Sequence, residues 1–165
     1  MRILYPDTPI PEDLNDDGGS IFLVGPSLRS PGLTPWRVEA LRILEEDLGY
    51  QGSVLIPETP ATSIDTYNTD SFDYQAQVEW EYEGLRDCAA IVAWVPRDLE
   101  TLPAFTTNVE FGLHVREEKF FYGRPEGASK TQYLDWLYTK CNPSRSNLEI
   151  SLQDLLNEVL IWLSI

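Results

Sequence analysis

The sequence predicts an α/β domain of three layers, with a parallel five-stranded sheet between helices. Three observations predict it. Runs such as Ser20-Ile-Phe-Leu-Val24 and Ala89 to Val95 are almost wholly apolar and stop at Gly or Pro, the mark of strands buried on both faces. Between such runs, apolar residues recur at helical spacing, as in Leu41, Leu44 and Leu48. The 165 residues are 42% hydrophobic, enough for one domain with a real core. Strands alternating with helices imply βαβ units and a parallel sheet.

Each element has its local reason. Residues 1–19 are Pro- and Asp-rich and read as a mostly irregular N-terminal arm, with a short edge strand at Arg2–Tyr5. The domain proper is residues 20–165. Its first strand, Ser20–Val24, ends at Gly25-Pro26-Ser27. Thr34-Pro35 is an N-cap with Pro at the first helical position, and Gly49 stops that helix. Ser53–Pro57 is the second strand. Residues 58–71 form a long polar loop, a length often reserved for function. A helix follows over 72–87, then the third strand, Ala89–Val95, ending at Pro96-Arg97-Asp98. A loop over 97–106 leads to a helix from Thr107 to Glu117. Lys119–Tyr122 is the fourth strand, Lys130–Cys141 a helix, and Leu148–Ile150 the fifth strand. Ser151 opens the last helix, whose apolar stripe runs from Leu152 to Leu163.

Charge and composition exclude several functions. The chain has 27 acidic and 12 basic residues, a net of −15. That argues against nucleic-acid polymers, whose affinity rests on Lys and Arg, and against anionic membranes. The acids crowd the first half: residues 1–90 hold 17 acids and 5 bases. No signal peptide or membrane span is legible. Two cysteines without a CxxC and a single histidine, His114, leave no disulfide framework and no zinc site. We expect a cytoplasmic protein that uses no cofactor and no metal. P-loop, GxGxxG and GxSxG motifs are absent, and carboxylates dominate what remains.

In open α/β sheets, ligands bind beyond the carboxyl ends of the strands. The loops at 25–34, 57–71, 96–108 and 122–130 are therefore the place for a site. The most informative carboxylate there is Glu110, in Thr106-Thr-Asn-Val-Glu-Phe-Gly112. Thr107-x-x-Glu110 spells a capping box, with Glu110 at N3. The same position, at a helix N-terminus on the ligand edge, suits a carboxylate nucleophile that stays ionised.

Several segments then occur in a telling order: Gly25-Pro-Ser27, Gln77-Val-Glu-Trp-Glu81, Ala90 to Arg97, Thr107-Asn-Val-Glu-Phe-Gly112, Tyr122-Gly-Arg-Pro-Glu126 and Tyr133-Leu-Asp135. Together they resemble the nucleoside 2-deoxyribosyltransferase-like family over residues 20–163. The resemblance implies a Rossmann- or flavodoxin-like domain that cleaves the N-glycosidic bond of a 2′-deoxynucleoside. It puts the attack on C1′ at Glu110 and a sugar- or base-holding acid at Glu81. The family's aromatic hydroxyl on the first strand is replaced here by Phe22. The Asp that its transferases carry just before the nucleophile is replaced by Thr106-Thr107-Asn108, and the nearest acids are Asp98 and Glu100. Asp98 or Glu81 is thus the candidate proton donor. Gly25, Pro26, Ser27, Glu58, Asn108, Arg97 and Arg124 are candidate substrate contacts.

The partners implied are a nucleoside or nucleotide, a free base, and further copies of the chain in a dimer or larger homo-oligomer. Two other readings stand beside the first. One is a nucleoside 5′-monophosphate N-glycosidase, with Ser27, Arg29 or Arg124 holding phosphate. The other is a non-catalytic nucleotide-sensing module.

Overall fold

The computed structural model describes residues 1–27, 35–58, 73–145 and 147–164. Its five strands are β1 Arg2–Leu4, β2 Ser20–Val24, β3 Ser53–Leu55, β4 Ala90–Trp94 and β5 Phe120–Gly123. They form one all-parallel sheet in the order β1-β3-β2-β4-β5. The five helices are α1 Trp36–Arg42, α2 Tyr74–Asp87, α3 Phe105–His114, α4 Gln132–Cys141 and α5 Leu152–Leu163.

Every residue of β2, β3, β4 and β5 is buried, because both faces of the sheet are covered. Ile21, Leu23, Val92 and Phe121 pack with Ala40 and Leu44 below α1 and with Leu155, Leu156 and Val159 of α5. Phe22, Val24, Ile91, Phe120 and Tyr122 pack on the other side with Trp80 of α2, Phe111 of α3 and Leu134 and Tyr138 of α4. This is the three-layer arrangement that the apolar runs require.

The fifth strand is not where the sequence places it. Leu148–Ile150 contributes only a single parallel bridge, Glu149 to Arg124. The fifth position is taken by β1, which pairs with β3 through Arg2↔Ser53 and Leu4↔Leu55. The arm is tied down as well. Leu4 and Leu14 are buried, Trp80 Nε1 donates to the Thr8 carbonyl at 2.8 Å, and Asn15 Nδ2 donates to the Asp87 carbonyl at 3.0 Å. Those bonds run the arm along α2.

Helix ends show a mixture of agreement and correction. Ser151 caps α5 by accepting from the Asp154 N–H at 3.0 Å. Asp73 caps α2 by accepting from the Ala76 N–H at 3.0 Å. The α1 helix continues into a π-helical turn, Ile43–Asp47, and Gly49 follows at φ +65°, a conformation that favours glycine. Pro35 is the N-cap of α1, not its first helical residue. Thr34, Arg29 and the predicted loop from residue 59 to residue 71 lie outside the described residues.

The most consequential shift concerns α3. It begins at Phe105, after Ala104 at φ 57°, two residues before the predicted start. Glu110 therefore sits in the second turn, and the capping box with Thr107 does not form.

Strand order decides where a ligand can go. From β2 the chain winds outward to β3, and from β4 it winds the other way to β5. The reversal opens a crevice beyond the carboxyl ends of β2 and β4.

Candidate active site

Glu110 projects from α3 with 9% of its surface exposed. Burial, then the Glu81 charge, push its carboxyl up to about 7, while Arg37 pulls the other way. The sequence reading has Glu110 ionised at a helix N-terminus. The structure corrects this, because the helix dipole fades within the first turn and Glu110 lies in the second.

Glu81 stands on α2. Its carboxyl is raised by burial, and lowered in part by its bond from Gln77 and by Arg37. Gln77 Nε2 donates to Glu81 Oε1 at 2.7 Å and to the Pro57 carbonyl at 3.1 Å. One amide thus ties the acid to the end of β3. Glu58, the next residue after Pro57, accepts from Arg37 Nη1 at 2.7 Å.

Arg37 is the residue that sequence reasoning missed. It is 2% exposed, in the first turn of α1. Its Nε donates to the Leu23 carbonyl at 3.1 Å and its Nη2 to the Gly25 carbonyl at 2.8 Å. A signal was present. Arg37, Ala40 and Leu44 share one helical face, and a cation in a first turn opposes the dipole. An arginine on a core-facing stripe calls for buried acceptors, and the end of β2 supplies them.

Gly25 and Pro26 shape this corner. A Cβ on Gly25 would lie 2.3 Å from the Trp94 carbonyl oxygen and 2.7 Å from the Trp36 ring, so only glycine fits between β4 and α1. Pro26 is buried, and its carbonyl accepts from Trp36 Nε1 at 3.0 Å. Ser27 is exposed at the edge.

The remaining candidates fall elsewhere. Asp98 caps its own turn, accepting from the N–H groups of Glu100 at 3.0 Å and Thr101 at 2.8 Å. Those bonds hold its carboxyl below the usual range, which is the wrong direction for a proton donor at neutral pH. Arg97 is buried. It donates to the Lys130 carbonyl at 2.9 Å and to Asn108 Oδ1, so these two candidates bind each other. Arg124 is held by Asp135 at 3.0 Å and Glu149 at 2.9 Å. Its charge is already matched.

The geometry brings Glu58, Glu81, Glu110 and Arg37 to one corner of the crevice. Among the described residues, no group of His, Cys, Asp and Glu is arranged to hold a metal ion. The chain was then compared with known families. The profile of the family described as nucleoside 2-deoxyribosyltransferase like matches residues 18–128. The chain belongs to that family. Comparison with curated proteins gives no match. In this nucleoside 2-deoxyribosyltransferase-like chain the matched segment holds all four corner residues, together with Gly25, Asp98, Asn108, Arg97 and Arg124. Strand β1 and helices α4 and α5 lie outside it. No helix among the described residues is long and apolar enough to cross a membrane.

Proposed function

We propose that this protein cleaves the N-glycosidic bond of a (2′-deoxy)nucleoside, with Glu110 as nucleophile, and passes the sugar to another base or to water. One observation carries the reading. A buried carboxylate, Glu110, and a half-buried one, Glu81, lie with the buried Arg37 guanidinium at the ligand edge of a chain whose family is nucleoside 2-deoxyribosyltransferase like.

The chemistry follows from two carboxyls that resist losing both protons. Such a pair shares one proton near neutral pH, and the reactive form is the one in which that proton has passed from Glu110 to Glu81. Ionised Glu110 attacks C1′, forming an ester bond as the C1′–N bond breaks. Protonated Glu81 gives its proton to the departing base nitrogen. In the return step the acceptor's nitrogen, or a water oxygen, attacks C1′. The Glu110 ester breaks, and the acceptor's proton goes to Glu81. Burial favours both steps, since charge developing on the sugar is stabilised more strongly by a carboxylate out of water. Glu58 can read the base edge from the end of β3.

The protein acts as a homo-oligomer in this reading. Tyr74, Val78 and Tyr82 on α2, and Phe105, Val109 and Leu113 on α3, recur every four residues and stay exposed. These stripes belong to the two helices that carry Glu81 and Glu110. The two unpaired cysteines suit a reducing cytoplasm.

The test is chromatography of a nucleoside panel incubated with the protein, with and without a second free base, beside Glu110→Ala. A new nucleoside that needs the added base and vanishes in the variant supports transfer. Free base without an acceptor supports hydrolysis. A parallel panel of 5′-monophosphates measures phosphate preference. Activity that survives Glu110→Ala, or no turnover in any panel, overturns the reading.

A further inference from the structure

We propose that Arg37 is the positioning residue of this corner: it locks Glu58 to the end of β2 and sets a buried positive charge beside the site of Glu81 and Glu110. The inference rests on the reading of Glu110 as the working carboxylate, but its test does not need turnover.

Arg37 rises from α1 and is gripped by the last carbonyls of its own preceding strand, Leu23 and Gly25, with Pro26 at 3.4 Å. The Leu23 carbonyl belongs to β2 and the Gly25 carbonyl follows directly on its end, so the guanidinium is held against the strand by its backbone. Its planar fork then presents Nη1 to Glu58 at 2.7 Å. The two side chains are only 3% and 14% exposed. A pair so removed from water keeps most of its field.

That field reaches across the crevice. Gln77 joins Glu81 to the Pro57 carbonyl, one residue before the Glu58 that binds Arg37, and Arg37 pulls the carboxyls of both Glu81 and Glu110 downward. Three elements therefore bring a carboxylate to one guanidinium: the end of β3 with Glu58, α2 with Glu81, and α3 with Glu110. Glu58 holds the cation by direct contact, and the other two share its longer-range attraction.

A consequence follows for substrate binding. A base whose N–H groups bond to Glu58 draws that carboxylate's electron density away from Arg37. The guanidinium then acts more strongly on Glu110 at the moment the sugar is in place. Arg37 would thus transmit occupancy of the base end to the nucleophile, without itself touching the reacting atoms.

The experiment is a carboxyl titration. The protein is labelled with glutamate carrying ¹³C at its carboxyl carbon, and the Glu110 signal is assigned by its loss in Glu110→Gln. Arg37→Gln should move the Glu110 midpoint up by about one pH unit or more, the size of effect that an opposite charge nearby exerts. Glu58→Gln, which leaves Arg37 in place with one carboxylate fewer, should move it down. In the Arg37→Gln background the Glu58 change should move the midpoint by a smaller amount, the difference being the coupling that a double-mutant cycle measures. Opposite shifts are a signature that general loosening of the fold does not produce. Should Arg37→Gln not fold, Glu58→Gln decides, with Arg37→Lys as the background that keeps a charge but loses the fork. A midpoint that stays put in Glu58→Gln, or that shifts the same way in both variants, overturns the proposal. A failed nucleoside panel beside opposite shifts would sink the proposed reaction and leave the role of Arg37 standing.

Discussion

Glu110 on α3 faces Glu81 on α2, and burial together with the Glu81 charge raises the Glu110 carboxyl to about 7. Ordinary glutamates are fully ionised at that pH. The free site thus favours the protonated form of Glu110 well beyond the ordinary glutamate range.

A rate profile follows from this. The productive form carries one proton on the Glu81–Glu110 pair, so kcat/KM should rise with pH as the pair loses its first proton and fall as it loses its second, through about 7. Glu110→Gln should lower kcat/KM by ~10³-fold or more and abolish the rising limb. Steady-state rates across pH check both. A flat acid limb would separate the catalytic group from Glu110.

Stability should depend on pH through the same carboxyl. Its folded pKa lies above its unfolded one, so the folded state prefers the proton. The stability that this gives is full below the unfolded pKa and is lost as pH rises through about 7. A shift of this size amounts to ~3 kcal/mol once both states are ionised. Glu110→Gln should therefore melt higher than the parent at about pH 8, with the gap closing toward about pH 5. Calorimetry over that range would detect it. A glutamine variant less stable at the alkaline end would contradict it.

Gly84 controls how closely α2 lies on the sheet. A Cβ there would stand 2.8 Å from the Phe22 ring and 2.9 Å from Leu55. Gly84→Ala should cost about 1–3 kcal/mol by overpacking. It should also reduce turnover, because Glu81 sits one turn earlier on the same helix. Urea midpoints and kcat/KM measured together test the pairing of the two effects.

Arg97 and Asn108 should behave as a unit. Arg97 is buried, its Nε meets no partner among the described residues, and Asn108 takes one of its other donors. Asn108→Ala would leave a further buried donor unmet, at about 1–3 kcal/mol. In an Arg97→Met background the same change should cost far less. Independent, additive losses would show that the bond carries no coupling.

The two thiols should separate cleanly. Cys88 is 3% exposed, and burial pushes its thiol up to about 12, so it should resist alkylation until the protein unfolds. Cys141 is only partly buried. Mass spectrometry after brief native labelling should find one modified cysteine, Cys141.

Much of this protein was legible in the sequence. The strands at 20–24, 53–55 and 90–94 could be read because a strand covered on both faces must be apolar throughout. Glu110 could be found because a short motif surrounds it at the edge where ligands bind. Ser151 announced α5, since a cap acts over only three residues. All of these are local signals, decided by neighbours in the chain.

Tertiary structure alone decided the rest. The short edge strand read at Arg2–Tyr5 forms as β1, Arg2–Leu4, but which strand it joins, β3, only the fold decides. Leu148–Ile150 stops at one bridge beside Arg124. The environment of Glu110 depends on Glu81, 29 positions away in the sequence, and on where α3 begins. Arg37 is charged in the sequence and buried in the fold, because folding sets α1 against the end of β2, where the Leu23 and Gly25 carbonyls accept from it. Burial and charge set the chemistry of a carboxylate, and both are properties of what folding packs around it.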